Sequence, residues 1–159
     1  ALGNPEAIAF PRPAMDRDDY SFSFSGLKTS VLYYLRKHSD VSRDTDGNPA
    51  IPENLLNDIC ASFQAAAVDV LAAKTIKAAV EHDIPDIAVV GGVSANSALG
   101  ETMREKAGTL NKRVFIPDPL YSTDNAAMVA MLAWLKVQDG QSPSLTSPAF
   151  ARMTERRMS

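Results

Sequence analysis

Ile87-Ala88-Val89-Val90-Gly91-Gly92-Val93-Ser94-Ala95-Asn96-Ser97-Ala98-Leu99-Gly100 changes character twice within one short stretch. Its first four residues are an apolar, partly β-branched run, the composition of a strand covered on both faces. Gly91 and Gly92 then let the backbone turn sharply and leave no Cβ between it and a ligand. Ser94 stands where an N-cap belongs, and Ala95 onward reads as helix, with Leu99 and Met103 four apart. A strand, a glycine corner and a helix start place free N–H groups and the positive end of a helix dipole at one point, which suits an anion. The adjacent glycines are not a G-x-G-x-x-G fingerprint, and no Gly-Lys-Ser/Thr follows, so neither dinucleotide loop applies. Two readings stay open for Gly91-Gly92: a turn and no more, or a phosphate or nucleotide site. The Asn96 amide, within the first helical turn, either reaches a ligand or is simply solvated.

The chain has 159 residues, 45% hydrophobic and 22% charged, ordinary for one globular domain or part of one. No membrane span and no basic-then-apolar leader is evident. A single cysteine, Cys60, makes no internal disulfide and suits a reducing compartment, so a cytoplasmic location is expected. A net charge of −3 gives no overall electrostatic footprint for nucleic acid. Arg152, Arg156 and Arg157 are the sole basic concentration, read as a solvated end. Ala1 and the early prolines look like the result of a cut in a longer chain.

Residues 1–19, with three prolines and Asp16-Arg17-Asp18-Asp19, read as a linker or edge segment. Tyr20–Ser25 alternates aromatic and serine, which predicts a half-buried strand, and Leu27–His38 a helix after Gly26. Lys28 beside that helix start reads as a surface lysine. Residues 39–52 form a loop; Asp44-Thr45-Asp46-Gly47 lacks the remaining ligands of a calcium site. From Pro52 or Glu53 to about His82 a broad apolar stripe (Leu55, Ile59, Phe63, Ala66, Val70, Ala73, Val80) predicts one long helix, with Cys60 a buried structural thiol in it. Arg113–Pro117 is another short strand, Ala126–Val137 a final helix, and residues 139–159 a flexible tail. The order implies an α/β layered domain over residues 20–138.

Asp124 is the other chemical position. Ser122, Thr123 and Asp124 are all N-cap types before the Ala126 helix. Yet that helix start follows a strand, where open α/β sheets bind ligands, so Gly91-Gly92 and Asp124 are expected in one cleft. His38 and His82 sit at helix ends, in no His-x-x-x-His spacing, and read as solvated or C-capping. Neither a Ser-His-Asp nor a Cys-His constellation can be assembled.

Phe10-Pro11-Arg12-Pro13, Phe22-Ser23-Phe24-Ser25-Gly26-Leu27-Lys28-Thr29, Asp58-Ile59-Cys60-Ala61-Ser62-Phe63-Gln64, Val90-Gly91-Gly92-Val93-Ser94-Ala95-Asn96 and Ser122-Thr123-Asp124-Asn125-Ala126-Ala127-Met128 occur in that order. Together, over nearly all of residues 1–138, they resemble the carboxy-terminal half of the tRNA threonylcarbamoyladenosine transferase family, once described as O-sialoglycoprotein endopeptidases or glycoproteases. The resemblance implies one lobe of an actin-like ATPase (ribonuclease H-like) fold, incomplete without an amino-terminal half. It implies transfer of threonylcarbamoyl from its adenylate to an adenosine next to the anticodon, in tRNAs reading codons that begin with A. It places Gly91-Gly92 against the phosphates of ATP or of the threonylcarbamoyl-adenylate, and Asn96 on that ligand. Asp124 becomes one ligand of a divalent metal: iron, with zinc or magnesium as alternatives.

The family's His-x-x-x-His metal motif belongs to its amino-terminal half and is absent here, as are several nucleotide contacts. The expectation is about half an active site, inactive and weak for metal alone, requiring tRNA and partner proteins of the pathway, and prone to self-association through uncovered edges. Another actin-like ATPase or kinase lobe explains the glycine corner but not Phe22–Thr29 or Ser122–Met128. A non-catalytic interaction lobe would be free to lose Gly91-Gly92, Asn96 and Asp124. A peptidase lacks its nucleophile or zinc triad.

Overall fold

The computed structural model describes residues 2–38, 42–43, 47, 49–141 and 144. They divide into two compact units, Ala1–Thr123 and Asp124–Ser159, each described by itself.

The first unit is built on α2 (Glu53–Glu81), a helix of 29 residues that no glycine or proline interrupts. Its circumference is apolar because two separate cores use it. On one side Ile59 and Ala66 pack with Phe10 and with Leu27 of α1 (Ser25–Lys37). On another, Val68, Ala72 and Ala79 pack with Ile87 and with Leu99, Met103 and Ala107 of α3 (Ser97–Gly108). Each fully buried side chain of leucine size contributes about 2 kcal/mol through removal from water. By length and composition α2 also qualifies to cross a bilayer, contrary to the expectation that no span exists. Its apolar faces are instead occupied by these two cores.

Residues 3–19, expected as linker or edge, lie along α2. The Asn4 N–H donates to Asp58 (2.7 Å), the Ile8 N–H to Ser62 (3.1 Å), and the Arg12 guanidinium grips Asp69. At Gly3 the approach is so close that a Cβ would lie 2.1 Å from the Asn57 carbonyl oxygen, so only glycine fits. Lys74 is buried, 2% exposed, and its ammonium donates to the carbonyls of Arg17 and Asp19, both at 2.6 Å. Burying that charge is tolerable because those carbonyls and the Asp19 carboxylate replace its water.

Tyr20–Phe24 form no strand, contrary to the alternation. The pattern satisfies a pleat only if a neighbouring edge offers hydrogen bonds, and none pairs with it among the described residues. Phe24 joins the Phe10–Leu27 core, while Tyr20 reaches the end of α2 and donates its hydroxyl to Glu81 (2.5 Å). Lys77 bridges Asp18 (2.7 Å) and Glu81 (3.0 Å). The Tyr20 hydroxyl first, then Lys77, hold the Glu81 carboxyl below its ordinary range. His38 and His82 do occupy the C-cap positions of α1 and α2. Cys60, expected to be buried, is exposed, because Ile59 takes the face turned to the Phe10–Leu27 core and Ala61 the other buried neighbouring position.

Two backbone pairings complete the unit. β1 (Ser42–Arg43) and β2 (Pro49–Ala50) pair antiparallel within the expected loop. β3 (Asp86–Ala88) and β4 (Arg113–Phe115) pair in parallel, Ile87 opposite Val114, with α3 as the crossover. Asp86 and Arg113 face each other in that register and form a bidentate ion pair. This helix-rich arrangement with a small parallel sheet fits an α/β fold.

In the second unit α4 (Ala126–Gln138) is capped by Asn125, whose side chain accepts from the Met128 N–H at 3.0 Å. The expected cap types Ser122, Thr123 and Asp124 do not hold that position. Asn125 sits one residue closer to the helix, with the extended backbone an N-cap requires. Beyond Gln141 and Ser144, the predicted tail lies outside the described residues, as do Arg152, Arg156 and Arg157. Asp44-Thr45-Asp46 also lies outside them.

Candidate functional site

The carboxyl ends of β3 and β4 point the same way, and the chain leaves each through an irregular turn. After β3, Gly91 adopts φ +84°, a left-handed conformation that a side chain would strain. Gly92 differs. Its φ is not left-handed, and a Cβ there would meet nothing within 4 Å. The fold therefore requires the first glycine of the pair and leaves the second bare toward solvent.

The helix does not start where the sequence put it. Gly92–Ala95 forms a single 3₁₀ turn, and α3 begins at Ser97. The N-cap is Asn96, whose Oδ1 accepts from the Leu99 N–H at 3.2 Å, while its Nδ2 donates to Gln64 at 3.4 Å. Asn96 is thus partly buried and partnered, not simply solvated. Ser94, expected as the cap, faces inward instead: its hydroxyl lies 2.7 Å from the Gly91 carbonyl oxygen and 3.0 Å from the Ser122 hydroxyl. The 3₁₀ turn shifts the helix by two residues and converts Ser94 from cap to buried tie.

Two hollows flank this corner. One, of about 480 Å³, lies between the start of α3 and the loop after β4, lined by Ser94, Asn96, Gly100, Arg104, Ile116 and Asp118. The other, about 370 Å³ and mostly apolar, is lined by Phe63, Gln64, Leu71, Val93, Asn96 and the exposed Cys60. Asn96 is the ridge between them. The polar hollow holds one guanidinium, from Arg104, against the carboxylates of Glu101 and Asp118. It is not a basic pocket, so an anion there would be held by backbone N–H groups and the α3 dipole. Lys28 is exposed on α1 and borders neither hollow.

Asp118 and Gln64 were not legible as site-lining residues, and Ser122 was not legible as the partner of Ser94. The Asp118 side chain accepts from the Leu120 N–H at 2.9 Å and shapes the turn Pro119–Tyr121. An Asp-Pro pair after a strand is the one local signal that pointed to it. Gln64 and Ser122 stand within the motifs of the resemblance, but their contacts with Asn96 and Ser94 are tertiary, and spacing along the chain does not show them.

Asp124 belongs to the second unit, where it is exposed and directly precedes the α4 cap. Among the described residues no group of three or more His, Cys, Asp or Glu side chains converges to hold a metal.

Comparison with known proteins follows the same geography. The sequence model of one family, tRNA N6-adenosine threonylcarbamoyltransferase, matches residues 1–131. A protein of that name from Geotalea daltonii is 50% identical over 132 residues, covering 82% of this chain and 36% of the relative. One from Riemerella anatipestifer is 43% identical over 150 residues, 94% of this chain and 42% of the relative. One from Thermotoga neapolitana is 43% identical over 138 residues, 87% and 38%. The chain spans about two-fifths of the length of such curated relatives.

Proposed function

The chain belongs to the tRNA N6-adenosine threonylcarbamoyltransferase family, and from that premise we propose that it is the carboxy-terminal, nucleotide-holding lobe of such an enzyme. The observation that carries this reading is the glycine corner: a left-handed Gly91 and a side-chain-free Gly92 at the carboxyl end of a parallel strand. A polar and an apolar hollow meet there at Asn96, and an adenylate has one part suited to each.

In this reading Gly91-Gly92 receives the phosphate of ATP or of threonylcarbamoyl-adenylate, and Asn96 contacts the same ligand with its remaining amide hydrogen. Asp124 contributes one carboxylate to a divalent metal, iron, zinc or magnesium, whose other ligands come from residues this chain does not contain. The lobe works as part of an actin-like fold with an amino-terminal half, on tRNA adenosine next to the anticodon, with partner proteins, and has no transferase activity alone. Without that half its apolar surface drives self-association, which sedimentation at rising concentration reads directly.

The test is calorimetric titration of ATP, or of a non-hydrolysable threonylcarbamoyl-adenylate analogue, into the chain with and without an amino-terminal half supplied in trans. Binding is expected on mixing, and Asn96→Ala is expected to weaken it about tenfold, the loss of a ligand hydrogen bond together with a helix cap. Absence of binding in the mixture, or unchanged affinity in the variant, contradicts the assignment. A purified chain with stoichiometric iron or zinc by itself would contradict the divided metal site.

A further inference from the structure

We propose that the buried hydroxyls of Ser94 and Ser122 are positioning groups that aim the Gly91–Gly92 peptide so that its N–H faces an incoming phosphate oxygen. The inference rests on the nucleotide reading above and adds two residues to it. Both serines are almost fully buried, 5% and 2% exposed, although each is small and polar.

The Gly91 carbonyl oxygen accepts twice from one residue, from the Ser94 N–H at 2.9 Å and from the Ser94 hydroxyl at 2.7 Å. A hydroxyl has one proton, so with Ser94 committed to Gly91 the proton in the 3.0 Å Ser94–Ser122 contact comes from Ser122. The order is then Ser122 to Ser94 to Gly91. Ser122 has a poorer alternative acceptor in the Asp118 carbonyl at 3.4 Å. The relay therefore joins the loop after β4 to the turn after β3.

A trans peptide is planar, with its C=O and N–H antiparallel. Drawing the Gly91 carbonyl inward drives the Gly92 N–H outward, over a residue that has no side chain and open space around it. That N–H has no partner among the described residues. Apart from the hydroxyl, the Ser94 N–H is the one donor to this carbonyl among the described residues, and a glycine on each side lets the peptide plane rock about that single bond at little cost. The hydroxyl relay adds a second and shorter bond to the same oxygen and so fixes the plane, which is what preorganises a donor for an oxyanion.

The test compares ADP with adenosine by calorimetry, in the chain mixed with its amino-terminal half, for wild type, Ser94→Ala, Ser122→Ala, Ser94→Thr and the double Ser94→Ala/Ser122→Ala variant. Thermal unfolding is measured in parallel. Each single alanine is expected to weaken ADP about tenfold and leave adenosine within about twofold, while Ser94→Thr keeps the hydroxyl and the affinity. The double variant removes both partners of a buried pair, so its melting temperature is expected to recover toward wild type while ADP affinity stays low. A purely structural pair would restore both together, and that result overturns the proposal. Equal losses for ADP and adenosine overturn it too, as does unchanged ADP binding in both single variants. If wild type binds neither ligand, the nucleotide reading itself fails and takes this inference with it.

Discussion

α2 and α4 are both apolar around nearly their whole circumference, yet α2 is buried by two cores while no residue of α4 is buried. A helix of that composition is stable in water only when neighbours cover it. For α2 they are present: the Phe10–Leu27 cluster on one face, β3 and α3 on another. For α4, Met131, Leu132, Trp134 and Leu135 remain exposed. Composition thus states that a helix must be covered. It does not say by what.

The sharpest way to break this comparison is truncation in each region. Leu27→Ala and Met103→Ala, in the two separate cores around α2, are expected to cost about 3 kcal/mol each by denaturant titration. Leu132→Ala and Trp134→Ala in α4 are expected to change stability by no more than about 0.5 kcal/mol. A loss above about 2 kcal/mol from either α4 variant would show that α4 is already packed. The next effect down concerns the segment strapped along α2. Lys74→Ala leaves two carbonyls that had accepted from an ammonium, and should cost about 2 kcal/mol, with amide exchange accelerated over residues 17–21. Uniform exchange across the chain would show that Lys74 does not hold the strap against α2.

Smaller again are the caps. Asn96→Ala and Asn125→Ala each lose one side-chain-to-N–H bond, worth about 1 kcal/mol. Circular dichroism should register the Asn125 variant as fraying of α4, the helix whose first turn that side chain caps. The slightest effect is that of acid. The Glu81 carboxyl is depressed by the Tyr20 hydroxyl and by Lys77, and Asp18 by Lys77. Depressed acids add stability that is present at neutral pH and lost as pH falls through their lowered values. Proton uptake there should loosen the strap at low pH, and Glu81→Gln should flatten that part of the melting-temperature profile. An unchanged profile in that variant would contradict the role of Glu81.

Much of the chain was legible. Helix α2 follows from a long apolar stripe without glycine or proline, and β4 from a short β-branched run. The run Ile87–Val90, expected as a strand covered on both faces, pairs only up to Ala88 and buries only Ile87 of β3, because the sheet has just two strands among the described residues. The motifs from Phe10 to Met128 carried the family. Tyr20–Phe24 misled because alternation is a property of one segment, while a strand needs a second. Cys60 misled because a helix with two cores has no single buried stripe from which exposure can be judged. Ser94 misled because a 3₁₀ turn moved the cap to Asn96.

The sequence by itself determined the period of the long helix, a glycine corner after the Ile87 run, and the resemblance that names the family, since all three depend on residue type and spacing along the chain. Only the tertiary structure decided that Gly92 is bare toward solvent, that Asn96 caps α3 against Gln64, and that Ser94 meets Ser122. Those depend on which side chains from distant segments come within hydrogen-bond reach, and distance through space is not written in distance along the chain.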